Sequence, residues 1–184
     1  MPVIISMLRG VNVGGHNKVK MEALRALYTS LKLRDSQTYV QSGNVIFRTE
    51  EGDLARLAKR IEEGIERTFG FHSDVILRTS SELREVLAKN PFAARRNIEP
   101  NKLLIVFLAN DPAPEAREKI RTLKADPEEV KIAGRELYIY FPNGIGQSKL
   151  SVPALLKTLN TSGTGRNWTS ITRMLETAKK LEAG

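Results

Sequence analysis

Apolar residues along the chain fall either in short continuous runs or at helical spacing. Continuous runs at residues 3–8 and 102–108 predict two buried strands. Apolar positions recur at helical spacing from residue 21 to 31 and from residue 54 to 69, which predicts two amphipathic helices. Between these helices, two β-rich stretches flank Ser42-Gly43-Asn44, a sequence typical of a tight hairpin or a bent strand.

The same kinds of element continue toward the carboxyl end. Residues 74–78 predict a further strand, and Thr79 with Glu82 has the sequence of a capping box that opens a short helix. In the second half, a helix introduced by prolines precedes two strands at residues 130–132 and 136–141. Two more helices close the chain, and the first of them is opened by a serine and a proline.

Each half therefore has the order β-α-β-β-α, which begins the βαββαβ unit of ferredoxin-like folds. The predicted fold class is α+β, with two ferredoxin-like (α-β plait) halves, antiparallel sheets and additional C-terminal helices. We place the halves at residues 1–97 and 98–184, because Asn90-Pro91 stops a helix and residues 90–101 have the pattern of a connection. A duplication is inferred from element order alone.

Composition removes several classes of site. The chain has no cysteine, which excludes disulfides and thiolate chemistry, and its only histidines, His16 and His72, argue against a metal centre. No cofactor motif is present, so no cofactor is predicted. No apolar run approaches the roughly 20 residues of a membrane span, and the first residues lack a signal-peptide pattern. We therefore expect a cytoplasmic protein with no membrane partner.

Charge is unevenly distributed along this basic chain. The formal net charge of +8 favours anionic partners such as nucleic acid, nucleotides or phosphorylated metabolites. Residues 1–21 and 137–175 contain no Asp or Glu but include Arg9, Lys18 and Lys149. Most of the Gly and Asn clusters lie in these acid-free segments, which indicates loops suited to an anion.

The connection from residue 9 to residue 18 combines glycines with basic side chains. Its candidate ligand-binding residues are Arg9, Asn12, Gly14, Gly15 and Lys18. They lie between a predicted strand and a predicted helix, where backbone N–H groups can bind a phosphate. The loop is not a Walker A motif, because His16 and Asn17 stand in place of its Lys and Ser or Thr. A plain turn with positive φ at Gly14 or Gly15 explains the glycines equally well.

Three further segments supply the other candidate ligand-binding residues. These are Gln41, Ser42, Asn44, Gly144, Ser148, Lys149, Arg166, Asn167 and Trp168. The amides near residue 41 can donate to and accept from a ligand, but Gly43-Asn44 also suits a plain turn, which we favour. Lys149 lies in a glycine-containing loop and suits phosphate contact. Trp168 can stack on a base or pack in the core, and core packing is the more common role of a single tryptophan.

The sequence offers two candidate catalytic residues. His16 is the one histidine in a glycine-rich loop, and imidazole is the side chain best suited to act as a general base near neutral pH. Lys149 is the second candidate for proton transfer. His72 lies beside Phe71 at a helix end and has the pattern of a structural residue. No Ser-His-Asp order, carboxylate pair or HExxH motif is present, so the reaction type is open.

Five motifs occur in a fixed order: LRGVNVGGHNKVKM, TYVQSGNVIF, NPF, YFPNGIGQSKL and GRNW. Together they resemble a large bacterial family of uncharacterised proteins that is catalogued as a domain of unknown function. The resemblance runs from Leu8 to Trp168. It implies two packed α-β plaits, in agreement with the element order, and it implies no particular activity, cofactor or catalytic residue.

These observations lead to one functional hypothesis and two alternatives. In the hypothesis, the four glycine-containing segments converge in a basic cleft between the halves that binds a phosphate-bearing ligand, either a nucleotide or a nucleic acid. The first alternative is an enzyme acting on a small phosphorylated or polar metabolite, with His16 or Lys149 in proton transfer. The second is a non-catalytic interaction protein whose motifs are all turns and caps. Ligand identity and oligomeric state are open.

Overall fold

Four antiparallel strands and two helices build the first α-β plait of the protein. The computed structural model describes all 184 residues. The strands are β1 (Val3–Leu8), β2 (Arg34–Tyr39), β3 (Asn44–Arg48) and β4 (Val75–Thr79), and the helices are α1 (Met21–Ser30) and α2 (Leu54–Phe69), followed by α3 (Ser80–Ala88). The sheet order is β2-β3-β1-β4, which together with the βαββαβ chain order defines a ferredoxin-like plait.

The same order of elements occurs again in the second part of the chain. The strands are β5 (Leu103–Leu108), β6 (Glu129–Ala133), β7 (Glu136–Tyr140) and β8 (Gly163–Asn167), and the helices are α4 (Pro114–Arg121), α5 (Val152–Leu159) and α6 (Trp168–Ala183). The sheet order β6-β7-β5-β8 matches the first sheet strand by strand. The fold class is therefore α+β with two antiparallel sheets, as the sequence predicted.

The two sheets also share the register of their strands. Ile5 of β1 lies opposite Arg78 of β4, and at the corresponding place Ile105 of β5 lies opposite Arg166 of β8. In both cases the arginine donates a hydrogen bond to the carbonyl of the residue before it. This agreement supports the duplication that the element order indicated.

Each plait has a hydrophobic core between its helices and one face of its sheet. In the first plait, Leu24 of α1 and Ile61 of α2 pack with Ile4 and Phe47 of the sheet. The core of the second plait contains Val106, Leu108, Ile120, Leu137, Ile139, Phe141, Leu155, Leu156 and Leu159. Full burial of each such large side chain stabilises the fold by about 1.5–3 kcal/mol.

The opposite face of each sheet is buried as well. Ile5 and Ile105 point away from the helices of their own plaits and are both inaccessible to solvent. Both faces of β1 and β5 therefore need apolar residues, which explains why these strands are continuous apolar runs rather than alternating ones. On this face, the Tyr138 hydroxyl donates a hydrogen bond to the Val86 carbonyl of α3 at 2.7 Å.

Contacts divide the chain into two compact units. The first unit contains Met1–Arg84 with Thr172–Gly184, and the second contains Glu85–Ile171. Within the first unit, Arg84 of α3 pairs with Glu182 of α6 at 3.0 Å. The division of the chain into halves at residues 1–97 and 98–184 stays a prediction. None of the helices has the length and apolar character needed to cross a membrane.

One local prediction is confirmed at α3 and another is wrong at β8. The capping box forms, because Thr79 and Glu82 each accept a hydrogen bond from the other's N–H, at 3.0 and 2.8 Å. The sequence predicts a glycine-containing segment and no strand before Trp168, but Gly163–Asn167 form an edge strand. The strand is not recognisable from the sequence because it contains glycines instead of β-branched residues. A Cβ at Gly163 would lie 2.8 Å from a main-chain oxygen of β5, so no β-branched residue fits there.

Candidate functional site

The connection between β1 and α1 folds back on itself through left-handed residues. Positive φ angles occur at Gly10, Asn12, Gly14, Gly15 and Asn17. The His16 N–H donates a hydrogen bond to the Val13 carbonyl at 2.9 Å, which closes a small turn at the tip. Glycine and asparagine tolerate these φ angles better than other residues, which explains their number in this segment.

The Asn12 side chain ties this connection to the turn between β2 and β3. Its Oδ1 accepts a hydrogen bond from the Val19 N–H at 2.8 Å, and its Nδ2 donates to the Val19 carbonyl at 3.0 Å. The same Nδ2 donates to the Gln41 carbonyl at 2.7 Å. Because its amide is fully engaged, Asn12 fixes the distance between two segments that are far apart in the sequence.

The turn between β2 and β3 is also tightly constrained. Val40 has a φ of 48°, a left-handed angle that is rare for a β-branched residue and costs about 1–2 kcal/mol. Gly43 is left-handed too, and a Cβ there would lie 2.9 Å from a side-chain carbon of β1. The buried Asn44 side chain donates to the Tyr39 carbonyl and to the Ser42 hydroxyl, both at 2.9 Å. The predicted turn is therefore confirmed at Gly43, and Asn44 is the first residue of β3, whose side chain closes the turn.

A surface pocket of about 460 Å³ lies where the connection meets this turn. Its lining residues are Asn12, Gly15, Lys18, Val19, Lys20 and Gln41. The side chains of Lys18, Lys20 and Gln41 are exposed, and neither lysine has an ion-pair partner in the protein. No carboxylate lines the pocket, and its two charged lining residues are Lys18 and Lys20, although most of its lining is apolar.

Helix α1 begins at this pocket. Lys20 is its N-cap residue and makes no side-chain capping hydrogen bond, so the N–H groups of the first turn have no side-chain acceptor. These groups and the helix dipole favour an anion at this end of the helix. Glu22, the acidic residue of the first turn, is exposed and does not line the pocket.

Arg9 and His72 meet at Asp74, beside the start of the same connection. Arg9 Nη1 lies 3.6 Å from Asp74 Oδ2, and His72 Nε2 lies 3.0 Å from Oδ1. The hydrogen bond to Asp74 is the main reason that the pKa of His72 is raised above its ordinary value of 6.5. Arg9 therefore pairs with a carboxylate rather than lining the pocket, and His72 is largely exposed, with 54% of its side chain accessible.

His16 and Gly14 lie in the connection but outside the lining of the pocket. Both residues are exposed, and no carboxylate pairs with the His16 imidazole. The histidine therefore lacks the orienting partner that a general base commonly has. Its role as a catalytic residue stays a prediction.

The connection from β7 to α5 holds three other predicted residues. Gly144 has a φ of 90° and precedes a single 3₁₀ turn at Ile145–Gln147. The Ser148 hydroxyl oxygen accepts a hydrogen bond from the Leu150 N–H at 3.0 Å, so it helps to shape the loop. Lys149 is exposed and makes no ion pair, which leaves its ammonium group available to an anion.

Arg166 and Asn167 lie at the end of β8, where their side chains have structural partners. Arg166 is 7% exposed, and its Nη1 donates to the Thr164 hydroxyl at 2.7 Å and to the Gly165 carbonyl at 2.9 Å. Burial lowers the pKa of the guanidinium to about 10, which leaves it charged at neutral pH. Asn167 Oδ1 accepts an N–H hydrogen bond at 2.8 Å and caps α6.

Trp168 opens α6 and lines a second pocket, of about 290 Å³, in the second unit. The other lining residues are Leu87, Asn90, Phe92, Ala93, Arg95, Ile98, Pro100 and Leu103. This pocket was not predicted, because residues 90–101 have the sequence pattern of a connection between the halves. The NPF motif at residues 90–92 was the available signal, since Phe92 is 1% exposed.

The structure brings together two of the four segments that were predicted to form the site. Asn12, Gly15, Lys18 and Gln41 line one pocket. Lys20 also lines it and was not among the predicted residues, although it belongs to the same acid-free segment. The predicted convergence of these segments with residues 142–149 and 166–168 stays a prediction.

Fold and pocket together define an α+β protein of two ferredoxin-like plaits with a lysine-lined pocket on the first plait. The chain belongs to the family described as protein of unknown function (DUF1697), whose model matches residues 1–138. The solved structure of a conserved bacterial protein from Streptococcus pneumoniae has the same fold. It is 21% identical, the match covers 96% of this chain and 98% of that one, and the TM-score is 0.71. No curated protein sequence matches the chain.

Proposed function

We propose that the first unit binds a phosphate-bearing ligand, a nucleotide or a nucleic-acid backbone, in the pocket lined by Lys18, Lys20 and Gln41. One observation carries the proposal: two exposed lysines and the uncapped start of α1 border a pocket that no carboxylate lines. Phosphate oxygens accept several charge-assisted hydrogen bonds at once, so phosphate suits this set of donors.

Each part of the pocket has its own task in this proposal. Lys18 and Lys20 neutralise the charge of the phosphate, and the Gln41 amide orients a neighbouring polar group of the ligand. Asn12 holds the two walls at a fixed separation through its bonds to Val19 and Gln41. A pocket that is already ordered loses little conformational entropy on binding, which favours affinity.

Pocket size and net charge favour different members of the ligand class. A volume of about 460 Å³ lies within the range of roughly 300–1,000 Å³ that is common for small-ligand pockets, so it suits a nucleotide. The net charge of +8 favours long-range attraction to a polyanion. The dependence of affinity on salt separates these two cases, because a nucleic acid releases more counterions than a mononucleotide.

The test compares two double variants with the same net charge. Lys18→Gln/Lys20→Gln removes the pocket lysines, whereas Lys119→Gln/Lys124→Gln removes two exposed lysines that line no pocket described above. Affinities for ADP and for a single-stranded oligonucleotide are measured over a range of salt concentrations. We expect the pocket variant to lose at least about tenfold in affinity and, with the oligonucleotide, about 1.4 in the slope of log affinity against log salt.

Two results would contradict the proposal. If both double variants weaken binding equally, the attraction depends only on net charge and the pocket has no special part. If neither probe binds the wild-type protein at low salt, the pocket is not a phosphate site. Circular dichroism of each variant shows whether the fold is intact.

A second function is an enzyme acting on a small phosphorylated metabolite. The observation that favours it is the position of His16, which lies in the same connection as the pocket lysines. A metabolite that raises the melting temperature in a thermal-shift screen is then tested for turnover. His16→Ala should abolish turnover without lowering the melting temperature of the free protein, and Lys149→Ala tests the other candidate. Full turnover in both variants would eliminate both residues.

A further inference from the structure

The pocket beside Trp168 is lined by apolar and polar atoms in nearly equal measure. Its apolar lining residues include Leu87, Phe92, Ile98, Pro100, Leu103 and Trp168. Trp168 is only half-buried, so part of the indole is accessible from this pocket. At about 290 Å³ the pocket is close to the lower limit for small-molecule sites, and it can hold one compact ring system.

One cationic side chain lines this pocket and is held in a defined orientation. The Arg95 guanidinium lies against the rings of Phe92 and Tyr140, with its Cζ atom 5.7 and 5.6 Å from the two ring centroids. Its Nη1 donates to Glu129 Oε2 at 2.5 Å. Its Nε and Nη2 have no acceptor within the protein. The two cation–π contacts and the ion pair thus restrain the guanidinium of this partly exposed side chain, while two of its donor atoms stay available.

A neutral donor accompanies the arginine. Asn90 lines the pocket, and its Oδ1 accepts a hydrogen bond from the Phe92 N–H at 3.0 Å. This bond determines the orientation of the amide, so its Nδ2 is a donor without a partner in the protein. The lining therefore combines several apolar side chains with two donor groups that an acceptor on the ligand can engage.

We propose that this pocket binds a planar aromatic carboxylate, with the ring against Trp168 and the carboxylate on Arg95. A carboxylate matches the forked donors of a guanidinium, and an aromatic ring gains both apolar burial and ring contacts beside an indole. Glu129 already balances part of the charge of Arg95, which favours a singly charged carboxylate over a doubly charged phosphate. This site lies in the second unit and is independent of the proposed phosphate site.

The experiment uses the emission of Trp168, which is the only tryptophan in the chain. Benzoate is the probe, and we expect a saturable change in emission as the ring excludes water from the indole. Cyclohexanecarboxylate has the same charge without an aromatic ring, and benzyl alcohol has the ring without the charge. Each of these should bind at least about tenfold more weakly than benzoate, because each lacks one of the two interactions.

Matched variants assign the charge interaction to one residue. Arg95→Gln should weaken benzoate binding at least about tenfold, whereas Arg96→Gln removes the same charge at an exposed neighbour that does not line the pocket and should leave it unchanged. Arg95→Lys retains the charge without the fork and should bind with intermediate affinity. It serves as the informative variant if Arg95→Gln fails to fold, which circular dichroism shows.

Specific results would overturn the inference. The absence of a saturable emission change with benzoate would rule out the site, and equal affinity for cyclohexanecarboxylate would rule out recognition of the ring. Equal losses in Arg95→Gln and Arg96→Gln would show a general charge effect. Lys18→Gln/Lys20→Gln should not change benzoate binding, so the failure of one proposed site is distinguishable from the failure of the other.

Discussion

The two units share one sheet topology and differ in the connections that it carries. The first unit has a long connection from β1 to α1, residues 9–20, where the second has only residues 109–113 between β5 and α4. The reverse holds for the other strand-to-helix connection, which spans residues 49–53 in the first unit and 141–151 in the second. The long connection therefore follows the first strand in the first unit and the third strand in the second unit. The sheet topology is common to both units, and the extended connections hold lysines and glycines that were predicted to bind a ligand, among them Lys18 and Lys149.

Equivalent positions at the ends of the strands show the same contrast. The Arg9 N–H donates to the Asp74 carbonyl at 3.0 Å, and in the second unit the Ala109 N–H donates to the Ser162 carbonyl at 2.9 Å. The backbone bond is therefore retained. The ion pair between Arg9 and Asp74 has no counterpart, because Ala109 and Ser162 carry no charge. Backbone geometry is common to the units, while side-chain chemistry is specific to each.

The largest loss of stability is expected from a substitution at a position where the second unit requires a glycine and the first does not. Gly163 lies opposite Leu108 in the second sheet, as Val75 lies opposite Leu8 in the first. A Cβ at Gly163 would lie 2.8 Å from a main-chain oxygen and 2.9 Å from a leucine methyl group. Gly163→Val, which copies the first unit, should lower the free energy of unfolding by about 3 kcal/mol because of this overpacking. Urea denaturation measures the change.

Gly146→Ala is the control for this substitution. Gly146 has no atom near its potential Cβ, and its backbone is not left-handed, so the free energy of unfolding should change little. If Gly163→Val is as stable as the wild type, β8 can move away from its neighbours. Both edge strands would then accept a valine at this position, and the glycine would not be required.

An intermediate effect is expected at Asn12, whose clamp has no equivalent in the second unit. Asn12→Ala leaves the Val19 N–H and the Gln41 carbonyl without their side-chain partner, which should cost about 2 kcal/mol. Amide hydrogen exchange should accelerate in residues 10–19, and phosphate affinity should fall with it because the pocket loses its fixed shape. Asn110→Ala makes the same change in the short connection of the second unit. It should change neither the hydrogen exchange of residues 10–19 nor the phosphate affinity. Unchanged exchange in Asn12→Ala would mean that the backbone of the connection is stable without the clamp.

Local signals were sufficient to predict much of the fold. The apolar runs of β1 and β5 are unambiguous because both faces of these strands are buried, and the spacing of α2 is strongly amphipathic. The capping box at Thr79 depends only on residues three apart. By contrast, β8 could not be recognised, because its glycines are required by contacts with β5 that the local sequence does not reveal.

The candidate site could be predicted only in part, and for a similar reason. Glycines and lysines in one acid-free segment indicated the connection that lines the first pocket. The sequence does not reveal that Asn12 clamps this connection to Gln41, because that bond joins residues 29 positions apart. The position of Arg95 beside Trp168 also depends on packing within the second unit. Such pairings come from the tertiary structure, so local residue patterns suggested candidates without assigning their partners.

The smallest effect is expected at Asp74, where the second unit has the neutral Ser162. Asp74→Ser removes the carboxylate whose hydrogen bond raises the pKa of His72 above 6.5. A raised folded-state pKa means that this bond stabilises the protein fully below the ordinary value and that the contribution is lost as the pH rises through the folded-state pKa. The wild type should therefore exceed the variant in stability most at mildly acidic pH. The difference should be small, because 54% of the His72 side chain and 34% of the Asp74 side chain are exposed to solvent, which screens their interaction.

Two measurements test whether Asp74 acts through His72: a titration of this histidine, and the effect of Asp74→Ser in a variant that lacks it. Nuclear magnetic resonance should show the pKa of His72 falling in Asp74→Ser, toward its ordinary value. In a His72→Gln background, Asp74→Ser should have the same effect on stability at mildly acidic and alkaline pH, because only the Arg9 pair then remains and arginine stays charged throughout. If the effect of Asp74→Ser on stability is independent of pH in the wild-type background too, Asp74 acts through Arg9 rather than through His72. The two units would then differ here only by one surface ion pair.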